Sequence, residues 1–514
     1  MAPFATCYSF VMCRSKSNWP NFSLRRQVDL ALLLISLLLA ACSGSAGQQE
    51  VVPYTTRDRL LDQSGSADVS SPRICASGTN VYSVWHDSRR AGRSQVFFNA
   101  GRSGGELWGA DQQLSDDPEG LESFAEHPSI ACAGDSIYVV WEDDRDSQFG
   151  NRNIYFSYSD DAGRTWQEDQ RITSDPEGDW DALSPQIVVD YDPSTSPDRT
   201  IYIAWYDGRS GAYDIYFTRS TNGYNFLSEE LRLDTDVPGA AYSAHPRLAS
   251  DGRGGLYVVW QDRRDGGNDV YSNRSQDGGY NWAASDVRLD GGVDVGASDA
   301  FGVQLTVDQE AAVPAVYAAW HDDRNGGKDI YFNYSLDAAN TWQSAAIRLD
   351  TDVEGGSNSF YPALTAADGR VLVAWHDDRD LGYDIYLRRS EDGGESFGPP
   401  MRLDTDLVGS AHSLGVRLAR DGNRVVAAWS DFRLGSDLET SPQPDLWYRA
   451  SDDGGMSWSE PELRVDDDPQ STAISDELQV AVSGPFAHFL WVDYRLGRGD
   501  LWFRSMDSAG LAVP

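Results

Sequence analysis

The string Trp-x-Asp-x-Arg occurs eight times, at Trp85, Trp141, Trp205, Trp260, Trp320, Trp375, Trp429 and Trp491, with spacings of 54 to 64 residues. Each copy carries several short strand-like runs, too few to bury both faces of a sheet unaided. Stacking of like units supplies the missing cover, and a period of this length with strands alone predicts a β-propeller, one blade per copy.

One copy shows the expected blade. His245–Ala249 reads as a first strand, Leu256–Trp260 as a second apolar enough to be covered on both faces, Asp269–Arg274 as a third and Val287–Asp290 as a fourth, with glycine- and aspartate-rich turns between them. The eighth copy offers three strands, Leu478–Ser483, His488–Val492 and Asp500–Ser505, and no fourth. Arg59–Asp62 precedes the first complete blade and matches the fourth-strand string Leu231–Asp234, with Leu60 for the arginine. The fold predicted is all-β: eight blades of four antiparallel strands, closed by an N-terminal strand completing the last blade, which removes the open edges.

Residues 1–41 stand apart from this body. Arg14, Lys16, Arg25 and Arg26 precede a 12-residue apolar run, Leu30 to Ala41, too short to span a bilayer. The run ends in Leu39-Ala40-Ala41-Cys42, which resembles the lipobox of bacterial lipoproteins. The resemblance implies a signal peptide over 1–41 and lipidation at Cys42; with the propeller read from the repeats over 57–514, residues 42–56 form a tether. It further implies an exported outer-membrane lipoprotein, on the periplasmic or the cell-surface side; a cleaved signal without lipid is the alternative. Processing removes four positive charges and one negative and moves the net charge from −38 to −41. Such a surface excludes nucleic acid as a natural partner.

The turns between third and fourth strands repeat a second pattern. Ser159, Asp161, Gly163 and Trp166 recur as Ser275, Asp277, Gly279 and Trp282, as Ser390, Asp392 and Gly394 before Phe397, and as Ser451, Asp453, Gly455 and Trp458. The copy from Ser335 to Trp342 has Ala339 for the glycine. These strings resemble the Asp-box, or BNR repeat, of the sialidase superfamily. The resemblance implies the fold and a structural role for these residues in the hairpin turn. No catalytic residue carries over: the Arg-Ile-Pro string of sialidases has no counterpart beyond Ser71-Pro72-Arg73-Ile74, whose frame recurs in other blades, and sialidases have six blades.

In a propeller the second-to-third and fourth-to-first loops share one rim. On this rim fall the Trp-motif loops, the pairs Asp234/Asp236, Asp350/Asp352 and Asp404/Asp406, the string Asp466–Asp468, and longer loops at 146–152 and 433–445. The aspartate pairs are candidates for calcium through oxygen ligands or for solvated turn caps; no other cofactor is indicated. The motif's Asp and Arg, present in every blade, read as inter-blade ion pairs. Arg73, Arg247 and Arg417 share a first-strand position in blades one, four and seven, where they reach the channel mouth as a site for a sugar carboxylate or sulfate, or form salt bridges with nearby acids. His127 and His245 precede the first-strand proline and complete the candidate ligand site. His86, His321, His376 and His412 map to the same rim, without metal-ligand spacing.

Three cysteines follow the signal. Cys75 and Cys132 sit on adjacent innermost strands with opposite parity, which allows either a disulfide between blades or two buried thiols. The functional expectation is a monomeric, lipid-anchored propeller binding a glycan or protein on the acidic rim. The alternatives are a sialidase-like glycoside hydrolase and a structural envelope protein.

Overall fold

A computed structural model describes residues 57–507 apart from 66, 91, 116–122, 148–149, 175–179, 192–198, 434–442 and 470–472. The expected signal, Cys42 and the tether lie outside the described residues, as do 508–514 and most of the loop 433–445. Every regular element among the described residues is a β-strand.

The chain forms an eight-bladed β-propeller of antiparallel sheets. The fourth copy, that of Trp260, forms strands Ser243–Ser250, Leu256–Asp262, Asp269–Ser275 and Val287–Arg288, paired in that order. The last blade takes its outer strand from the other end of the chain, with Arg59 opposite Phe503 and Leu60 opposite Trp502. The first strands of successive blades touch in an unbroken cycle, the eighth against the first, so they wall the channel. The core lies between blades, each interface having its own apolar cluster, such as Leu61, Trp85, Phe97, Leu501 and Phe503 where the ring closes.

The repeated motif is a self-contained unit. Residues i and i+2 of a strand share a face, so each buried Trp Nε1 meets the Asp two residues on, as from Trp260 to Asp262 at 2.8 Å. That Asp receives its own Arg, Arg264 Nη2 at 2.5 Å, and the guanidinium lies over the third-strand aromatic, 4.1 Å from the Tyr271 ring centre. The same stacking, at 3.9 to 4.4 Å, recurs in all eight blades. The expectation of inter-blade Asp/Arg pairs is therefore corrected: each pair closes within one blade. A third-strand polar residue joins blades instead, as Asn333 donates to the Leu289 carbonyl at 2.7 Å and Arg449 to that of Leu403 at 3.2 Å.

The Ser-x-Asp turns hold themselves together in the same local way. Ser159 Oγ donates to Asp161 and accepts the Gly163 N–H at 3.0 Å, while Asp161 accepts the Thr165 hydroxyl and N–H. These Thr165 bonds hold the Asp161 carboxyl down to about 2. Gly163 has φ +77°, and a Cβ there would meet the Phe98 ring of the preceding blade. In blade five Ala339 adopts φ +56° in its place, and the position equivalent to Phe98 in blade four is Ser272. A smaller neighbour there offsets the added methyl. Trp166 packs edge-on against Phe98, so the aromatic belongs to the blade interface.

The structure contains the disulfide Cys75–Cys132, with Cα atoms 6.1 Å apart, joining the innermost strands of blades one and two.

Candidate functional site

Each innermost strand breaks register near its start, and the residue at the break has positive φ: Ser71, His127, Ser184, His245, Gly302, Tyr361, Gly415 and Glu477, at +47° to +66°. For the six that are not glycine the left-handed region costs about 1–2 kcal/mol each. The bulge N–H is often bound by the preceding blade, through the residue between Trp and Asp. His127 N donates to His86 Nδ1 at 3.3 Å, Ser184 N to Glu142 at 2.8 Å, Tyr361 N to His321 Nδ1 at 3.4 Å and Gly415 N to His376 Nδ1 at 3.5 Å. Burial, before other causes, holds His86, His321 and His376 down to about 4. They are neutral acceptors near pH 7, and three of the rim histidines are thereby assigned to blade-to-blade contact.

Two residues past each bulge comes a second ring around the channel: Arg73, Ser129, Gln186, Arg247, Gln304, Ala363, Arg417 and Gln479. It contains three cations and no carboxylate. Arg73 donates to the Pro72 carbonyl at 2.9 Å and Arg417 to that of Leu478 at 3.2 Å; among the described residues none of the three arginines forms an ion pair within 4.0 Å. Desolvation, and then the charges of Arg73 and Arg417, pull Arg247 down to about 10. The three arginines thus share one electrostatic environment. Glu477 and Asp476 act on Arg73 and Arg417 only at longer range.

A cavity of about 330 Å³ opens beside this ring, and Arg73, Arg247, His127 and His245 all line it. Four of the five candidate ligand residues are therefore in one place; Arg417 is outside the lining and bears on it by charge. Sequence reading missed three further polar groups of the lining, Glu142, Arg152 and Tyr206. His127 Nδ1 lies 3.0 Å from Glu142 Oε2, with the His side chain 48% exposed and the Glu 3%. This bond chiefly raises the His127 pKa. Burial and then the Arg247 charge lower that of His245. Arg152 lies 3.3 Å from Glu142 and 2.5 Å from Glu126. The available signal was variation: the residue between Trp and Asp is Glu142 in blade two and Tyr206 in blade three, and Arg152 ends the blade-two insertion.

Rings extend this site over the rim. Tyr206, Tyr213, Tyr242 and His245 make a linked cluster in blades three and four. A second series, His321, Phe360, Tyr361, His376, Tyr383 and His412, crosses blades five to seven, with Tyr361 57% exposed.

The aspartate pairs have a different surrounding. Asp214, Asp234 and Asp236 converge, as do Asp329/Asp350/Asp352, Asp384/Asp404/Asp406 and Asp445/Asp466/Asp468, with one carboxylate oxygen of each within 4.8 Å of the others. In every group an arginine of the outer strand reaches all three acids: Arg232, Arg348, Arg402 and Arg464. Burial, followed by the neighbouring aspartates, raises Asp234 and Asp350 to about 8. In blade eight, where Leu60 stands in the arginine position, Arg498 pairs with Asp500 at 2.7 Å.

Fold and rim together define an eight-bladed propeller with a cationic ring at its channel mouth. No family model matches the chain, and no curated protein matches it. Among solved structures it is similar to a PL25 polysaccharide lyase, an ulvan lyase (14% identity over 74% of this chain and 92% of that one, TM-score 0.44), and to polysaccharide lyase Uly1 (12%, 77% and 92%, 0.45). It is also similar to the NanB sialidase of Streptococcus pneumoniae (10%, 83% and 83%, 0.37). These likenesses concern the fold.

Proposed function

We propose that this protein binds an anionic glycan on the rim bearing the Trp-motif loops, with a carboxylate or sulfate of the sugar held by Arg73, Arg247 and Arg417. The observation that carries this reading is the ring of three arginines without ion-pair partners among the described residues, in a chain of net charge −38. Guanidinium forks pair bidentately with oxyanions such as carboxylate and sulfate, and the exposed rings on either side offer faces for sugar stacking. A panel of neutral, carboxylated and sulfated polysaccharides in affinity electrophoresis tests it. Acidic polymers are expected to retard the protein, with Arg247→Gln weakening retention about tenfold or more, as loss of a charge-assisted pair would. Equal retention by neutral polymers, or an unaffected variant, overturns the reading.

We further read the repeated Ser-x-Asp turns as Asp-boxes, and the chain as an exported lipoprotein: signal 1–41, lipid at Cys42, tether 42–56, propeller 57–514. The Cys75–Cys132 bond supports an oxidising compartment. Cys42→Ser is expected to release the protein from the membrane fraction; unchanged fractionation refutes the anchor.

A further inference from the structure

We propose that the cavity beside the arginine ring is a β-elimination site for uronate-containing polysaccharide, with His127 as the base that removes the proton α to the sugar carboxylate. This rests on the anionic-glycan reading and adds a reaction to it.

His127 is placed for that task by its surroundings. Its positive φ, +51°, belongs to the bulge at the mouth, and its Nδ1 is engaged by Glu142 at 3.0 Å. Glu142 accepts the proton-bearing Nδ1, which leaves the Nε2 lone pair for a substrate proton. Glu142 is itself immobilised by the Ser184 N–H and Arg152. Arg73 and Arg247 line the same cavity. A guanidinium paired with the uronate carboxylate stabilises the charge that develops when the α-proton leaves. Tyr206 also lines the cavity, and burial raises its pKa, so it is a phenol able to donate at neutral pH.

The reaction balances without a co-reactant. The C5–H electrons become the C4=C5 double bond, the C4–O bond breaks, and the departing oxygen takes a proton from Tyr206; solvent then returns a proton to Tyr206 and removes the one on His127. Hydrolysis by two carboxylates fits the same cavity poorly. Such sites need a pair about 5–9.5 Å apart, whereas among the described residues Glu142 is the one carboxylate lining this cavity and is already bound by His127, Ser184 and Arg152.

The test uses the full chain with polygalacturonate, alginate, hyaluronan and chondroitin sulfate, scoring binding first and then cleavage. A bound polymer is expected to yield fragments with the ultraviolet absorbance of a conjugated unsaturated uronate and no added water by mass. His127→Asn, which keeps a residue tolerant of positive φ, is expected to lower kcat at saturating polymer about a hundredfold or more, a loss larger than any change in retention. Tyr206→Phe lowers kcat independently, should the first variant not fold. Polymers that bind without an unsaturated product, fragments carrying added water, or undiminished turnover in a folded variant overturn the proposal and leave the binding reading standing. Failure of every polymer to bind overturns both.

Discussion

Ring closure is the feature whose loss can be reckoned most directly from the structure. Leu61 is 2% exposed and packs with Trp85, Phe97, Leu501 and Phe503 at the junction of the last and first blades. Leu61→Ala is expected to cost about 2–5 kcal/mol, the transfer loss plus the cavity left between blades. Deleting residues 43–64 removes this side chain and also the Leu61 N–H bond to the Leu501 carbonyl and the Asp62 bond to the Leu501 N–H, both 2.8 Å. At about 1–3 kcal/mol for each buried group left unpaired, the deletion totals about 4–11 kcal/mol, within the range of a whole domain's stability. Guanidinium unfolding followed by tryptophan fluorescence measures both variants, and amide exchange locates the damage in blades eight and one. An unchanged midpoint for the deletion, or protection lost evenly around the ring, would refute closure by the N-terminal strand.

Three further outcomes are expected. His488 is fully buried between the Ser483 and Ser505 hydroxyls, and burial holds it down to about 3. The unfolded chain binds a proton below about 6.5 and the folded one does not, so stability is lost as pH falls from there toward 3, by about 2.5 kcal/mol at about pH 4.5; His488→Gln should flatten that slope, and an unaltered slope refutes the assignment. Because Arg402 already serves Asp384, Asp404 and Asp406 as their cation, EDTA should leave the wild-type melting temperature unchanged, whereas Arg402→Met should cost about 3 kcal/mol and become calcium-stabilised; an EDTA-sensitive wild type would show that these triads hold metal. Cys75→Ser with Cys132→Ser should lower stability by about 2–4 kcal/mol for a loop of this size, and equal denaturation midpoints would show that the bond adds nothing to the ring.

The blade count, strand order and closing strand were legible in the sequence because they are one-dimensional: a period, an alternation and a missing fourth strand can be counted. The shared first-strand position of Arg73, Arg247 and Arg417 was legible for the same reason. What converges on those positions was not. Glu142 meets His127 from the neighbouring strand, and Ser184 reaches Glu142 from the next blade; separation along the chain says nothing about such contacts. The motif arginines show the converse, since a charge present in every repeat suggested contact between repeats, while the pleat places Trp, Asp and Arg of one copy on a single face. Sequence alone determined the repeating unit, whose apolar faces demand like neighbours. Only the tertiary structure decided which residues of different blades share the channel mouth, because closing the ring turns eight equivalent positions toward one axis.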